Sequence, residues 1–231
     1  MATRTTKTTA KSKPRAPAKS AARPYHHGSL REAMLEAAER ILARDGIDGL
    51  TLRAAAREAG ASHAAPKNHF ENVAGLLSEL AAVGFQRFER CLTSAAADAD
   101  TPETRLAAIG RAYVEFAIRF PGLFLLMFRS ERLDIDRPNL REAMSAASSV
   151  VRVAVGAQPG PHDTLSADGA ARLVTAWSLV HGFAMLKIDG RLDPIVASLS
   201  GGLDAMALLD VILKSGGGRL MNEPVAKKKT R

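Results

Sequence analysis

The stretch GLTLRAAAREAGASHAAPKNHF, residues 49–70, constrains the fold more than any other part of the chain. Thr51 is suited to cap a short alanine-rich helix, Gly60 breaks that helix, and Ser62 is suited to cap the next one. Pro66 falls in the first turn of this second helix, where a missing backbone donor is tolerated. Two short helices joined by a glycine-containing turn, behind a longer first helix, are typical of a helix-turn-helix unit.

The rest of the chain shows helical spacing of its apolar residues, and no segment with the period of a strand competes with it. In YHHGSLREAMLEAAERILARDG, Ser29 is followed by Glu32, which predicts a capping box at the start of the first helix. The periodicity predicts further helices over about 73–97, from there to Pro121, and over about 137–155, 168–189 and 195–213. We therefore expect an all-α protein.

The positive charge of the chain is concentrated at its two ends. The 231 residues include 32 basic and 24 acidic ones, a formal net charge of +8. Residues 1–24 hold seven basic and no acidic residues, and residues 214–231 hold six basic and one acidic, so residues 25–213 are net negative. Both ends lack aromatic residues and have a composition typical of disorder. We expect two disordered basic tails, which serve either solubility or contact with DNA phosphates.

The composition also restricts the cellular compartment in which the protein is expected to fold. A single cysteine, Cys91, excludes an intrachain disulfide, and the basic N-terminal segment lacks the apolar core of a secretory signal. The densest apolar stretch, residues 122–128, is too short to cross a bilayer. A cytoplasmic protein without a membrane partner is the expectation.

Neither catalysis nor metal binding is predicted. The sequence contains no glycine-rich phosphate loop, GxSxG elbow or HExxH motif. His63 and His69 are six residues apart and would point in different directions on a helix, and no cysteine or carboxylate cluster completes a set of four ligands around His26 and His27. We expect no enzyme activity, no metal and no other cofactor.

The segment from Tyr25 to Phe85 resembles the DNA-binding domain of TetR-type bacterial transcriptional regulators. The resemblance lies in YHHGSLR, then GLTLRAAAREAGASHAAPKNHF, then a leucine-rich helix, in that order. Farther along, WSLVHGFAMLKIDGRL carries Trp177, His181 and Gly182 and is similar to the Trp-His-Gly motif of one TetR subgroup. With YVEFAIRFPGLFLLMF between them, these segments cover most of residues 25–213.

The resemblance implies a helix-turn-helix DNA-binding domain over residues 25–72 and a helical ligand-binding and dimerisation domain over residues 73–213. The basic tails, residues 1–24 and 214–231, flank them. The residues that it places against DNA are Thr51, Arg53, Ser62, His63, Ala64, Lys67, Asn68 and His69.

Among these residues, Asn68 is suited to recognise adenine and Lys67 guanine, unless Lys67 binds a phosphate instead. Two positions depart from the family pattern. Lys67 stands where such proteins usually have a tyrosine that contacts the phosphate backbone, and Val73 stands where they often have a lysine with the same role.

An effector pocket between the helices of the second domain is also implied by the resemblance. Its candidate residues are Tyr113, Phe116, Phe120, Phe124, Met127, Trp177 and His181. From the residues alone, Trp177 and His181 are better explained as a core tryptophan beside a hydrogen-bonded histidine.

Small residues recur along the helix that carries Trp177, and such a stripe permits close approach of another helix. Because TetR-type proteins dimerise through their last two helices, the candidate dimer residues are Ala171, Thr175, Ser178, Gly182, Leu199 and Met206.

The resulting hypothesis is a sequence-specific transcriptional regulator. It would act as a homodimeric repressor that a small apolar molecule of unknown identity releases from a palindromic operator. The alternative is a nucleoid-type protein whose tails bind DNA without sequence preference, with the helix-turn-helix only as a scaffold. Phosphate binding alone gives equal affinity for all sequences and a steep salt dependence, whereas a regulator prefers its site by ~10³ or more.

Overall fold

The computed structural model describes residues 27–61, 67–157 and 164–222, and this part of the chain contains helices and no strand. The all-α prediction is confirmed. In chain order the helices are α1 (His27–Asp45), α2 (Leu52–Glu58), α3 (Lys67–Phe70), α4 (Val73–Ala97), α5 (Pro102–Arg119), α6 (Pro121–Met127), α7 (Pro138–Ala154), α8 (Ala167–Ile188), α9 (Asp193–Ala197) and α10 (Ala205–Asn222). The predicted tail at residues 1–24 lies outside the described residues.

Short polar side chains and proline set several helix boundaries. The Thr51 hydroxyl oxygen accepts a hydrogen bond from the Ala54 N–H at 3.1 Å and so caps α2, as predicted. Asn72 caps α4 in the same way, through the Gly75 N–H at 2.9 Å. Pro121 ends α5 as predicted and also begins α6, because a proline at the first helical position loses no intrahelical hydrogen bond.

Two predicted boundaries were wrong. Helix α1 begins at His27, so Ser29 lies inside its first turn and not at the cap. The helix predicted over residues 195–213 is two helices, because Gly201 and Gly202 have φ angles of 89° and 68°, which α-helical backbone does not allow.

Residues 214–222, predicted to belong to the C-terminal tail, are helical, and residues 223–231 lie outside the described residues. Helix α10 continues to Asn222 through the three consecutive glycines at 216–218. A glycine costs a helix about 1 kcal/mol relative to alanine, which weakens a helix without forbidding it.

Helices α1–α3 form the unit that we call the reading head. Helix α4 follows it directly and packs along α5, α6 and α7, and α5 in turn packs against α8 and α10. One hydrophobic core runs through both regions, from Leu30 and Phe70 in the reading head to Leu209 in α10. The predicted division at residue 72 is therefore crossed by a continuous core.

A second contact holds the reading head against the rest of the chain. A Cβ atom added to Gly122, in α6, would lie only 3.1 Å from the Leu42 carbonyl oxygen of α1, so glycine permits this close packing. In the described residues, no helix has both the length and the apolar composition needed to cross a membrane.

Candidate DNA interface and effector cavity

The described residues that follow α2 close this helix in the way expected before the turn of a helix-turn-helix. The backbone N–H of Ala61 bonds to the Ala56 carbonyl at 2.8 Å, and Gly60, with φ 68°, takes the left-handed conformation that closes α2. Ala55 and Ala56 are fully buried, which lets α2 pack closely against α1. Small residues and one glycine thus set the end of α2 and its packing against α1.

The predicted DNA-binding residues fall in three groups. Thr51 and Arg53 are exposed at the start of α2, and His69 is half-buried beside Phe70, with ring centroids 6.2 Å apart. Ser62, His63 and Ala64 lie outside the described residues. Lys67 and Asn68 belong to α3, but the structure describes only their backbone.

Arg57 was missed by the sequence reasoning. It is exposed one helical turn after Arg53, and within the described part of the chain neither guanidinium has an acidic partner. By contrast, Arg40 and Arg44 of α1 both pair with Glu58. Two unpaired guanidiniums four residues apart are available to phosphates, and that spacing is visible in the sequence.

A cavity of about 450 Å³ lies among the helices behind the reading head. Its walls come from α4, α5, α6, α7, α8 and α10 and from the segment between α6 and α7. Aromatic rings line it on several sides: Phe85, Phe88, Tyr113, Phe128 and Trp177. Aliphatic side chains complete most of the wall, and none of the described residues that line the cavity is charged.

Three of the seven predicted pocket residues, Tyr113, Met127 and Trp177, line this cavity. The prediction is corrected for Phe116, Phe120, Phe124 and His181, which do not. Phe116 lies farther along α5 and Phe120 directly follows that helix, and both line a separate groove between α4 and α5. Phe124 is fully buried behind Tyr113, with ring centroids 5.7 Å apart.

Tyr113, Trp177 and His181 form one hydrogen-bonded chain. The Trp177 Nε1–H donates to the Tyr113 hydroxyl oxygen at 3.2 Å, and that hydroxyl lies 2.9 Å from His181 Nδ1. Burial lowers the pKa of His181, which favours the neutral ring, and it raises the pKa of Tyr113 above its usual range. A neutral Nδ1 accepts the Tyr113 O–H, so the three polar groups satisfy one another.

The sequence favoured a position in the core for Trp177, and the structure corrects this prediction. Its side chain is 47% exposed and stands at the mouth of the cavity. The other lining residues that are exposed mark the same opening, between α7, α8 and the segment before α7: Ser130, Ile135, Met144 and Ser148.

The predicted dimer residues lie mostly on one exposed face of α8. Ala171, Thr175 and Ser178 are exposed, and no heavy atom lies within 4 Å of the position that a Cβ on Gly182 would take. Met206 is half-buried in α10, whereas Leu199 lies in the connection between α9 and α10.

Larger apolar residues on these same helices were missed by the sequence reasoning. Val174 and Leu186 of α8 and Val211 of α10 are each more than two fifths exposed. In the single chain these three side chains are exposed to water.

Comparisons with known proteins agree with this architecture. Residues 106–208 match the family described as the tetracyclin repressor-like C-terminal domain. A protein of unknown function from Rhodococcus sp. RHA1 has a similar structure with 33% sequence identity and a TM-score of 0.66, over 87% of this chain and 97% of that one. No curated protein matches the sequence.

More distant structures share the fold. A TetR family transcription regulator from Marinobacter aquaeolei VT8 has 16% identity and a TM-score of 0.57, over 81% of this chain and 95% of its own. The multidrug binding protein EbrR, solved with imidazole, has 19% identity and a TM-score of 0.52, over 85% and 97% of the two chains. The Trp-His-Gly subgroup stays a prediction. With the helix-turn-helix and the matching C-terminal domain, the chain belongs to the TetR family of transcriptional regulators.

Proposed function

We propose that this regulator is a homodimeric repressor that binds a pseudo-palindromic DNA site and is released when a small uncharged molecule fills the cavity. The observation that carries the proposal is the position of the cavity. Phe85 and Phe88, which line it, belong to α4, and α4 continues directly from the reading head. A molecule in the cavity therefore touches the helix whose first turn supports α3.

The cavity wall selects for an uncharged, ring-containing molecule. Five aromatic side chains offer faces and edges for stacking, and the part of the wall that the structure describes offers no charge. A carboxylate or sulfonate placed there would lose its hydration without gaining a cation. EbrR, which shares this fold, was solved with imidazole, a small ring.

We expect the neutral dye N-phenyl-1-naphthylamine to bind in the cavity and to change the fluorescence of Trp177, the one tryptophan in the sequence. Its sulfonated analogue, 8-anilinonaphthalene-1-sulfonate, has the same rings and a negative charge, and serves as the matched control. Fluorescence titration should show tighter binding of the neutral dye. Equal affinity for both dyes would contradict the assignment of an uncharged ligand.

Dimerisation through α8 and α10 is supported by the exposed apolar side chains of both helices, Val174 on α8 and Val211 on α10. Two symmetric reading heads that enter successive major grooves require half-site centres about 34–36 Å apart. Effector binding would act by moving α4 and so changing the spacing of the two heads. We propose that the protein acts in the cytoplasm and has no catalytic activity.

Selection of bound DNA from a random pool should yield one palindrome. A pool without enrichment would favour the nucleoid-type alternative.

We assign sequence recognition to Asn68 and general DNA affinity to Thr51. The Thr51 oxygen caps α2, which leaves its O–H free to donate to a phosphate. We therefore expect Thr51→Ala to weaken binding to the selected site and to scrambled DNA by similar factors.

Asn68→Ala is expected to weaken binding to the selected site alone, by about 1–3 kcal/mol of lost discrimination. Affinities for both DNAs, measured at one fixed salt concentration, give the comparison. Equal losses on the two DNAs would remove Asn68 as a base-reading residue.

A further inference from the structure

We infer that Arg137, just before α7, is a positioning residue that connects the effector cavity to the turn between α3 and α4. The inference rests on the proposed function. It concerns a cluster of charges, here called the Glu79 cluster, that lies where the reading head meets the rest of the chain: Arg31, Glu71, Glu79, Asp134 and Arg137.

The centre of the cluster is a carboxylate that is almost fully buried. Glu79, on α4, is 8% exposed and pairs with Arg31 of α1. From the other side, the Asn139 amide of α7 donates to it at 3.2 Å, and Arg137 approaches to 3.6 Å. This carboxylate therefore joins the first helix of the reading head to the start of α7.

Arg137 reaches the α3–α4 turn directly. One of its terminal nitrogens lies 3.3 Å from the Glu71 carboxylate, and Glu71 is the turn residue, with φ 61°. A Cβ added to Gly75 would lie 2.6 Å from the same nitrogen and 2.0 Å from the Phe70 carbonyl oxygen. Glycine at position 75 thus leaves room for the guanidinium next to the last residue of α3.

The segment that carries Arg137 is held on α4 by a second contact. The backbone N–H of Asp134 donates to the hydroxyl of Ser78, a fully buried residue of α4, at 2.8 Å. On either side of Asp134, Leu133 and Ile135 line the cavity. The same short segment, residues 133–137, therefore lines the cavity and contacts the α3–α4 turn.

Helix α7 connects the two sites along its length. Its first turn carries Asn139, which donates to Glu79 of the cluster, and its middle carries Met144, Ala147 and Ser148 in the cavity wall. Asn139 and Ser148 are nine residues apart, about 14 Å along a helix axis. Displacement of α7 by a molecule in the cavity would therefore move Arg137 relative to the α3–α4 turn.

Arg137 neutralises more carboxylates of the cluster than Arg31 does. Three carboxylates, those of Glu71, Glu79 and Asp134, lie 3.3 to 3.6 Å from its guanidinium, and its side chain is only 15% exposed. Without this cation, three like charges would face one another, with Arg31 paired to Glu79 alone. The cluster therefore holds the turn in one arrangement only while Arg137 stays in place.

The test measures coupling with N-phenyl-1-naphthylamine as the probe and the selected operator as the DNA. The coupling factor is the dye dissociation constant of the operator complex divided by that of the free protein. For the unmodified protein we expect a factor of about 5 to 150. Arg137→Gln should bring the factor close to one while the free protein binds the dye within about threefold of the original affinity. Arg137→Lys, which retains the charge, should restore part of the factor.

Two further variants separate coupling from folding. Glu71→Gln removes only the exposed arm of the cluster and should lower the factor with little change in thermal stability, because exposed ion pairs contribute about 0–1 kcal/mol. Arg141→Gln is the matched control, since Arg141 lies on α7 but pairs with Asp136 away from α4. If both Arg137→Gln and Glu71→Gln leave the coupling factor unchanged, the inference about Arg137 is wrong and the proposed function stands. A factor of one in the unmodified protein would overturn the proposed function as well.

Discussion

Replacing Ala147 with phenylalanine should lower the affinity for N-phenyl-1-naphthylamine by about 100-fold. Ala147 is buried on α7 and lines the cavity, so a phenyl ring there takes space that the dye needs. A dye that leaves about 100 Å² of its apolar surface in water loses about 2.5 kcal/mol, which is close to a 100-fold change. Fluorescence titration measures the loss.

The neighbouring residue provides the control. Ala146 is exposed and does not line the cavity, so Ala146→Phe should bind the dye normally. Both variants should retain affinity for the selected DNA site in the absence of dye. Normal dye affinity in Ala147→Phe would show that the dye binds elsewhere and would contradict the cavity assignment.

The second large effect is expected at the proposed dimer face. Val174→Asp puts a charge on the exposed face of α8, where a partner helix would bury it without a counter-ion. The dimer should dissociate into monomers in mass photometry. Operator affinity should fall by about 100-fold or more, because two linked reading heads gain 10²–10⁴ over one.

Val153→Asp is the matched control for this variant. Val153 of α7 is 56% exposed and Val174 is 57% exposed, so the two substitutions alter equally accessible valines. Val153 lies off the proposed dimer face, and its variant should remain a dimer with normal operator affinity. Dimers in both variants would place the dimer interface elsewhere.

The helices themselves were largely predictable from the sequence, because local chemistry sets their ends. The bounds of α4, residues 73–97, were predicted to the residue, and Thr51 and Pro121 act as expected. The division between α9 and α10 was missed, although the Gly201-Gly202 pair that causes it is visible in the sequence. The prediction of one helix rested on apolar spacing, which continues past the two glycines. Such spacing carries no information about their φ angles.

The cavity was predictable only in part. Periodicity predicts which face of α5 points inward, and Tyr113 and Phe116 are buried on that face. Where along the face space stays unfilled depends on side chains from other helices, such as Phe85 of α4 and Leu213 of α10. Those contacts join residues far apart in the chain, and a single sequence does not contain them.

The Glu79 cluster lay beyond sequence reasoning for the same reason. Arg137 and Glu71 are 66 positions apart, and each has nearer neighbours of opposite charge in the sequence. Only the packing of α7 along α4 brings them together.

Reciprocal titration of dye and operator tests the central claim most directly. The affinity for N-phenyl-1-naphthylamine is measured through Trp177 on the free dimer and on the operator complex, and the operator affinity is measured with and without saturating dye. We predict that the operator weakens dye binding by the same factor by which the dye weakens operator binding, about 5 to 150. Dye binding at Trp177 with one affinity on and off the operator would contradict the account.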